Sequence, residues 1–242
     1  MFPIRNAVAT RYPPVATWTL IAINCVVFLV QIGLSPSEQE AFVSTYALIP
    51  ARYFAHGGFD SAEDLLPFVT MMFLHGGWLH LILNTWTLWL FGGAVEDRLG
   101  SGRYVAFYLA CGIAAAIAHA ALNPTSTVPA LGASGAIAGV MGCYMRLFPW
   151  ARVIVVVPII FIPLFFELPA VVFVGLWFIL QLLQGTIDLL STFTGAGVAW
   201  WAHVGGFLVG FAIGPLLVRS ERAYRTYFAD EGIYGFTPMG WR

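Results

Sequence analysis

The sequence predicts an all-α membrane protein of six transmembrane helices, and the prediction depends on composition, apolar run length and arginine placement. Of the 242 residues, 60% are hydrophobic and only 10% are charged, whereas about 25% are charged in a typical soluble domain. A chain with so few charged residues cannot form the polar surface that a soluble protein needs in water. The composition therefore excludes an ordinary cytosolic enzyme, a disordered protein and a nucleic-acid binder, which would need a basic patch.

Apolar runs long enough to cross a bilayer occur six times, since a hydrocarbon core of about 30 Å needs about 20 helical residues. The first run could also be a signal peptide, but it is long for one and no cleavage pattern closely follows it. The fourth run is short and follows a polar stretch. The predicted spans are 17–34, 74–95, 103–122, 132–149, 168–190 and 198–218.

A further apolar stretch, 153–166, is interpreted as an interfacial connector and not as a seventh span. It is short, and Pro158 and Pro163 interrupt its backbone hydrogen bonding. A seventh span would also move the arginines after residue 218 to the other side of the membrane. That alternative weakens the charge pattern described next.

The arginines predict the orientation of the six spans. If the N-terminus is cytoplasmic, ten of the eleven arginines lie in cytoplasmic segments and only Arg52 lies outside. Cytoplasmic loops of membrane proteins carry an excess of positive residues, so both termini are predicted to be cytoplasmic. The expected organisation is a cytoplasmic segment, residues 1–16, a six-span domain, residues 17–218, and a cytoplasmic tail, residues 219–242.

Polar side chains inside the spans are costly and are therefore candidates for function. In the predicted orientation, spans two, four and six enter from outside, and each has such residues within roughly 15 Å of its outer end at 1.5 Å per residue. They are His80 and Asn84, Ser134, and His203. His80 and Asn84 are four residues apart and share a helix face. One outer layer of the bilayer is thus predicted to hold all four.

Glycines in spans four and six predict a close contact between these helices. They flank Ser134 and follow His203 by three and seven residues. Small residues at such spacing let two helix backbones approach closely, so we expect the His203 imidazole within hydrogen-bonding distance of Ser134. The glycines are Gly132 and Gly135 in span four, and Gly206 and Gly210 in span six.

The four polar residues suit acyl transfer. Ser134 is the candidate nucleophile and His203 the candidate base, because a neutral histidine accepts a proton well near pH 7. The Asn84 amide, the His80 imidazole and the backbone N–H of Ser134 are candidate donors to the oxyanion. Nothing in this set requires a metal or a cofactor.

Each feature also has a purely structural interpretation. A glycine-rich span often serves only packing, and a lone histidine in a span serves packing about as often as function. The conjunction on three spans at one depth favours function. Packing or a supporting role is favoured for His119, a structural bond in the outer loop for His75, and solvation for His56.

Asp188 and the cysteines are weaker candidates. Asp188 could orient His203 as the third member of a triad, although it is more simply a cap at the membrane interface. The cysteines show no CxxC or disulfide spacing and are interpreted as core packing. They are Cys25, Cys111 and Cys143.

Three motifs resemble the rhomboid family of intramembrane serine proteases. Residues 75–84, HGGWLHLILN, match the family pattern HxxxxHxxxN, residues 132–135 match GxSG, and residues 202–210 match AHxxGxxxG. Residues 92–100 also resemble the family's turn after its second helix. Each motif alone is weak, but three in this order with six spans are specific, and the resemblance extends over residues 17–218.

The resemblance implies a catalytic dyad of Ser134 and His203, with His80, Asn84 and the Ser134 amide lining the oxyanion hole. It implies single-span membrane protein substrates, cut where their helix unwinds easily, and span five as a lateral gate. It implies that the protein is embedded in the lipid bilayer, and it implies no cofactor and no nucleic acid. A compact chain without a targeting extension leads us to expect the bacterial inner membrane.

The sequence departs from the family pattern at two places. Many members carry a Trp-Arg pair in the first outer loop, where the nearest match here is Arg52-Tyr53. Some members have a tyrosine one turn after the serine that stacks on the histidine. Here that position is Ala138, so other contacts must hold His203.

Two further hypotheses belong to other functional classes. A non-proteolytic relative would bind and sort membrane clients, and its binding would persist in Ser134→Ala without any cleavage by the wild type. A small transporter would need discontinuous helices and a polar midplane. The polar layer predicted here lies near the outer ends of the spans.

Overall fold

The computed structural model describes residues 2–54, 61–159, 162–190 and 199–222. The helices are α1 Val15–Gly33, α2 Pro36–Tyr46, α3 Ala51–Phe54, α4 Pro67–Thr70, α5 Trp78–Leu99, α6 Ser101–Leu122, α7 Ser134–Leu147, α8 Ala170–Leu190 and α9 Trp200–Ile213. The strands are β1 Phe2–Asn6, β2 Arg152–Ile159 and β3 Ile162–Pro169. Short 3₁₀ turns cover Ala62–Leu65, Met71–Phe73, Gly214–Leu217 and Ser220–Arg222. His56 and most of the predicted tail 219–242 lie outside the described residues.

Several helices are long and apolar enough to cross a bilayer, so the chain is a multi-pass membrane protein. Among the described residues, four qualify: α1, α6, α8, and α9 together with the turn that follows it. A fifth span results if Ala62–Phe73 and α5, which meet at a bend of 82°, are one broken span. By length and hydropathy, the described residues therefore provide four or five spans and not six. The predicted count of six and the cytoplasmic termini stay predictions.

The fourth predicted span corresponds to α7, which is shorter than a bilayer is thick. It has 14 residues and extends about 21 Å at 1.5 Å per residue. Every residue from Gly135 to Tyr144 is buried, and α5, α6, α8 and α9 all pack against it. A helix enclosed by protein on all sides is a core helix, so its length need not match the hydrocarbon thickness.

The described residues of the predicted connector 153–166 belong to two paired strands, which corrects the all-α fold class. β2 and β3 pair antiparallel, with Val153 opposite Leu168 and Pro158 opposite Pro163. The run from Val153 to Val157 consists of β-branched residues, which favour strands. β1, which belongs to the predicted cytoplasmic segment 1–16, pairs antiparallel with the other edge of β2.

β1 lies along the middle of α5. The indole Nε1 of Trp86 donates to the carbonyl of Pro3 at 2.8 Å, and the Phe2 ring stacks on the Trp86 ring with centroids 5.5 Å apart. The Asn6 side-chain amide donates to the carbonyl of Leu90. These contacts bring the first residues of the chain next to the interior of the helix bundle.

The polar end of α5 caps the start of α1. The carboxylate of Glu96 is buried and accepts from the N–H groups of Ala16 at 2.9 Å and Thr17 at 2.8 Å. It also accepts from the Thr17 and Ser101 hydroxyls. The first N–H groups of a helix have no partner within it, so Glu96 supplies the cap that α1 lacks locally. The stretch 92–100 thus joins α1, α5 and α6.

Candidate active site

Ser134 and His203 are in direct contact. Ser134 is the first residue of α7, and His203 lies in the first turn of α9. The distance from Ser134 Oγ to His203 Nε2 is 2.8 Å, which is the length of a good hydrogen bond between a hydroxyl and a ring nitrogen. The two side chains come from positions 69 residues apart in the chain.

Close packing of α7 against α9 sets this distance. A Cβ built on Gly206 would lie 2.0 Å from the carbonyl oxygen of Gly135, and one built on Gly210 would lie 2.0 Å from that of Gly139. A side chain larger than hydrogen at Gly206 or Gly210 would therefore force the two backbones apart. His203 is one turn before Gly206, and Ser134 directly precedes Gly135, so the glycine contact brings the reactive pair together.

The second ring nitrogen of His203 is bonded to Gln181 of α8. His203 Nδ1 lies 2.7 Å from Gln181 Oε1. The amide nitrogen of Gln181 donates to the carbonyl of Trp177 at 3.3 Å, which leaves the amide oxygen facing the imidazole. Because an amide oxygen only accepts, Nδ1 carries the proton and Nε2 is the acceptor for the Ser134 hydroxyl.

Gln181 is not among the site residues predicted from the sequence. Its polarity within a span was the available signal. Asp188, the sequence candidate for a third triad member, does not contact His203, whose two ring nitrogens are bonded to Ser134 and Gln181. Asp188 lies near His119 instead.

His80 and Asn84 lie beside the loop that leads into α7. A Cβ built on Gly132 would lie 2.7 Å from His80 Nε2 and 3.6 Å from Asn84 Nδ2. Gly132 also has a φ of +125°, a conformation that strongly favours glycine. Its N–H donates to the carbonyl of Met71 at 2.8 Å. The loop is thus held two residues before Ser134, with both side chains against it.

Both side chains offer a donor at this loop. His80 Nδ1 accepts from the N–H of Gly76 at 3.4 Å, so the proton of a neutral ring is on Nε2, the atom next to Gly132. The Nδ2 group of Asn84 is buried and has no hydrogen-bond partner within the described part of the chain. A buried donor without a partner is costly, so this group is available to an acceptor that enters the cavity.

A cavity of about 640 Å³ adjoins Ser134 and His203. His80 and Asn84 line its polar end, and the rest of the lining is mostly apolar. Ala138 is part of the wall. The apolar lining includes Ile137, Met141 and Phe91 from α7 and α5, Phe173 and Trp177 from α8, and Phe2 and Pro3 from β1.

Aromatic rings take the place of the missing tyrosine beside His203. The centroid of the Trp177 ring lies 5.9 Å from that of the imidazole, with the planes tilted by 39°. The Trp200 ring is edge-on at 6.3 Å. Ala138 is too small to reach the imidazole, so the rings of Trp177 on α8 and Trp200 on α9 supply the contacts that hold His203.

Among the described residues, neither His75 nor His119 is hydrogen-bonded to Ser134 or His203. His75 is fully buried, and among the described residues neither of its ring nitrogens has a hydrogen-bond partner. Its backbone is held by Gln31 of α1, which donates to the His75 carbonyl at 2.8 Å and accepts from its N–H at 3.3 Å. His119 is mostly buried and contacts Asn123 at 3.3 Å.

Comparison with known proteins gives one family. Residues 62–220, more than half of the chain, match the rhomboid domain. The chain is similar to the rhomboid protease GluP of Bacillus subtilis (strain 168), with 34% identity over 140 residues, which are 57% of this chain and 26% of that protein. It is also similar to the mitochondrial rhomboid protein 1 of Saccharomyces cerevisiae, with 26% identity over 224 residues, or 88% of this chain and 56% of that protein. The chain therefore spans about a quarter to about a half of these relatives.

Proposed function

The chain belongs to the rhomboid family, and from that premise we propose that it is an intramembrane serine endopeptidase that cleaves membrane-spanning segments with a Ser134–His203 dyad. The observation that carries the proposal is the 2.8 Å bond between Ser134 Oγ and His203 Nε2. A serine hydroxyl is a weak nucleophile until a base removes its proton, and this bond connects it to one.

The dyad performs acyl transfer in two stages. Ser134 Oγ attacks the scissile carbonyl while His203 Nε2 takes the hydroxyl proton, and His203 then gives that proton to the leaving amine. A water molecule, activated at the same Nε2 atom, hydrolyses the acyl-serine and restores the hydroxyl. Each stage begins and ends with a neutral imidazole.

Three donors stabilise the oxyanion of the tetrahedral intermediate. The backbone N–H of Ser134 is at the first position of α7, where the helix dipole favours negative charge. The Asn84 amide and His80 Nε2 lie beside Gly132. One such donor typically contributes about 2.7–4 kcal/mol to the transition state.

The cavity supports a substrate that enters from the membrane. Its lining is mostly apolar and suits the side chains of a transmembrane segment, while its polar end can hold the water that deacylation needs. A helical segment shields its carbonyls in backbone hydrogen bonds, so cleavage requires local unwinding. We therefore propose that the cut is made in single-span membrane proteins, at a part of the span that unwinds easily. As the location of the enzyme we propose the bacterial inner membrane, since one of the similar proteins is bacterial.

Cleavage in a reconstituted bilayer tests the proposal. Purified protein in liposomes is mixed with a single-span reporter whose transmembrane segment contains small and polar residues. We expect two fragments from the wild type and none from Ser134→Ala or His203→Ala, and Gly175→Ala serves as the control because a Cβ there meets nothing within 4 Å. Reporter binding without cleavage by the wild type would instead favour a non-proteolytic client binder.

A further inference from the structure

We infer that Gln181 is the positioning residue for His203, so that the site is a hydrogen-bonded chain of Ser134, His203 and Gln181. The inference rests on the proposed function and adds a residue that the dyad does not include. Gln181 Oε1 lies 2.7 Å from His203 Nδ1, on the opposite edge of the ring from Ser134. Gln181 touches the base and not the reacting atoms, so it acts through His203.

The bond to Gln181 selects the tautomer that catalysis needs. A neutral imidazole has its proton on one nitrogen only, and the general base must keep its lone pair on the nitrogen that faces the serine. Free histidine favours the tautomer with the proton on Nε2. In this site that tautomer would point an N–H donor at Ser134, and the ring could not accept the hydroxyl proton. The Gln181 oxygen can only accept, so it holds the proton on Nδ1 and keeps His203 Nε2 ready to accept.

The Gln181 side chain is itself held in place. Its amide nitrogen donates to the carbonyl of Trp177, one turn earlier on α8. Gln181 is 7% exposed, while its neighbours Leu180 and Leu183 are each 54% exposed. A buried amide is costly unless it is hydrogen-bonded, and both ends of this amide are.

An amide suits this position better than a carboxylate. A charged side chain inside a membrane is costly, whereas a neutral amide can orient a histidine without adding a buried charge. The usual triad carboxylate also stabilises an imidazolium. Gln181 supplies orientation with much less electrostatic stabilisation, so we expect a smaller contribution than that of a triad aspartate.

The position of Gln181 on α8 couples this helix to the base. Trp177 and Gln181 are four residues apart and share a face of α8, and both contact His203. Ser134 and His203, by contrast, are held together by α7 and α9. Moving α8 away from the bundle would leave the reactive pair in contact but remove the acceptor from Nδ1. Efficient bond cleavage therefore depends on α8 being in place.

Kinetics of matched glutamine variants test the inference. Gln181→Leu removes the acceptor, and Gln184→Leu makes the same change three residues along α8 at an exposed position. We expect Gln181→Leu to lower kcat about 10- to 100-fold with little change in KM, below the about 10⁴-fold effect of disabling a triad carboxylate. Gln181→Glu keeps an acceptor oxygen and should recover most of the loss, while Gln184→Leu should match the wild type.

A spectroscopic measurement separates positioning from packing. The ring ¹⁵N chemical shifts of His203 report which nitrogen is protonated. They are measured in the Ser134→Ala protein, and the signals of His203 are assigned by their loss in His203→Asn. We expect the Nδ1–H tautomer with Gln181 present and a shift toward Nε2–H in the Ser134→Ala, Gln181→Leu double variant. Gln181→Met gives the same comparison if the leucine variant does not fold.

Two results would overturn the inference: a wild-type kcat in Gln181→Leu, or a tautomer that does not respond to loss of the acceptor. Loss of thermal stability without a tautomer change would show that Gln181 only packs. Failure of the proposed function would look different: the wild type would cleave no reporter, and this result does not depend on the tautomer of His203.

Discussion

His203 is contacted from two sides by helices that pack in different ways. On one side, α7 and α9 meet at backbone distance, with the Gly135 carbonyl where a Cβ of Gly206 would be. On the other side, α8 meets α9 through large rings, with the Phe178 and Phe207 centroids 4.2 Å apart and stacked. Backbones in contact leave no room for adjustment, whereas long side chains can adopt other rotamers. The first contact sets the distance between Ser134 and His203, and the second sets the orientation of the imidazole.

The largest expected effect comes from separating α7 and α9. Gly206→Ala places a methyl group 2.0 Å from a backbone oxygen, so the helices must move apart. We expect a loss of about 1–3 kcal/mol or more in the free energy of unfolding and a loss of reporter cleavage. Thermal unfolding in detergent and cleavage assays in liposomes measure the two effects.

Gly175→Ala on α8 is the control, because a Cβ there meets nothing within 4 Å. It should leave both stability and cleavage unchanged. A Gly206→Ala protein with wild-type cleavage would show that the α7–α9 contact does not set the reactive distance.

A smaller effect is expected from Asn84, which belongs to neither contact. Asn84→Ala removes an oxyanion donor and should lower kcat about 10²- to 10³-fold. Its Nδ2 group has no partner in the described part of the chain, so stability should stay close to that of the wild type. Thr85→Ala, at the next position and outside the cavity lining, is the matched control. An Asn84→Ala protein that unfolds would indicate a packing role instead.

The smallest effect is expected from Phe2, an apolar residue in the cavity lining. Phe2 stacks on Trp86 and lines the cavity, so Phe2→Ala widens the space available to a substrate. We expect kcat/KM to change by about 10- to 100-fold, since one apolar contact in a pocket is worth about 1–3 kcal/mol. Labelling of Ser134 by a small probe should be unaffected. Phe165→Ala, at an exposed position of β3, is the control, and equal effects of the two variants would contradict a substrate-facing role for Phe2.

Composition and motif spacing carried the sequence prediction a long way. The membrane class and the rhomboid family are confirmed, because few charges and long apolar runs have few alternative explanations and three ordered motifs are specific. The spacing of His80 and Asn84 was also informative, because residues four apart share a helix face.

Other features depend on contacts that periodicity does not reveal. β1 pairs with β2 across about 150 residues of chain, and no local pattern indicates such a pairing. Gln181 was visible as a polar residue in a span, but which neighbour it faces depends on the rotation of α8 about its axis. The short α7 was assigned as a full span because burial by other helices, which removes the need to match the bilayer, is a tertiary property.

The most direct test of the proposed protease is to locate the residue that a serine-directed probe modifies. Purified protein is treated with a fluorophosphonate and digested, and the labelled peptide is identified by mass spectrometry. The account predicts a single modified residue, Ser134, with labelling abolished in Ser134→Ala and strongly slowed in His203→Ala. Label on another residue, label that survives Ser134→Ala, or no label on folded wild-type protein would contradict it.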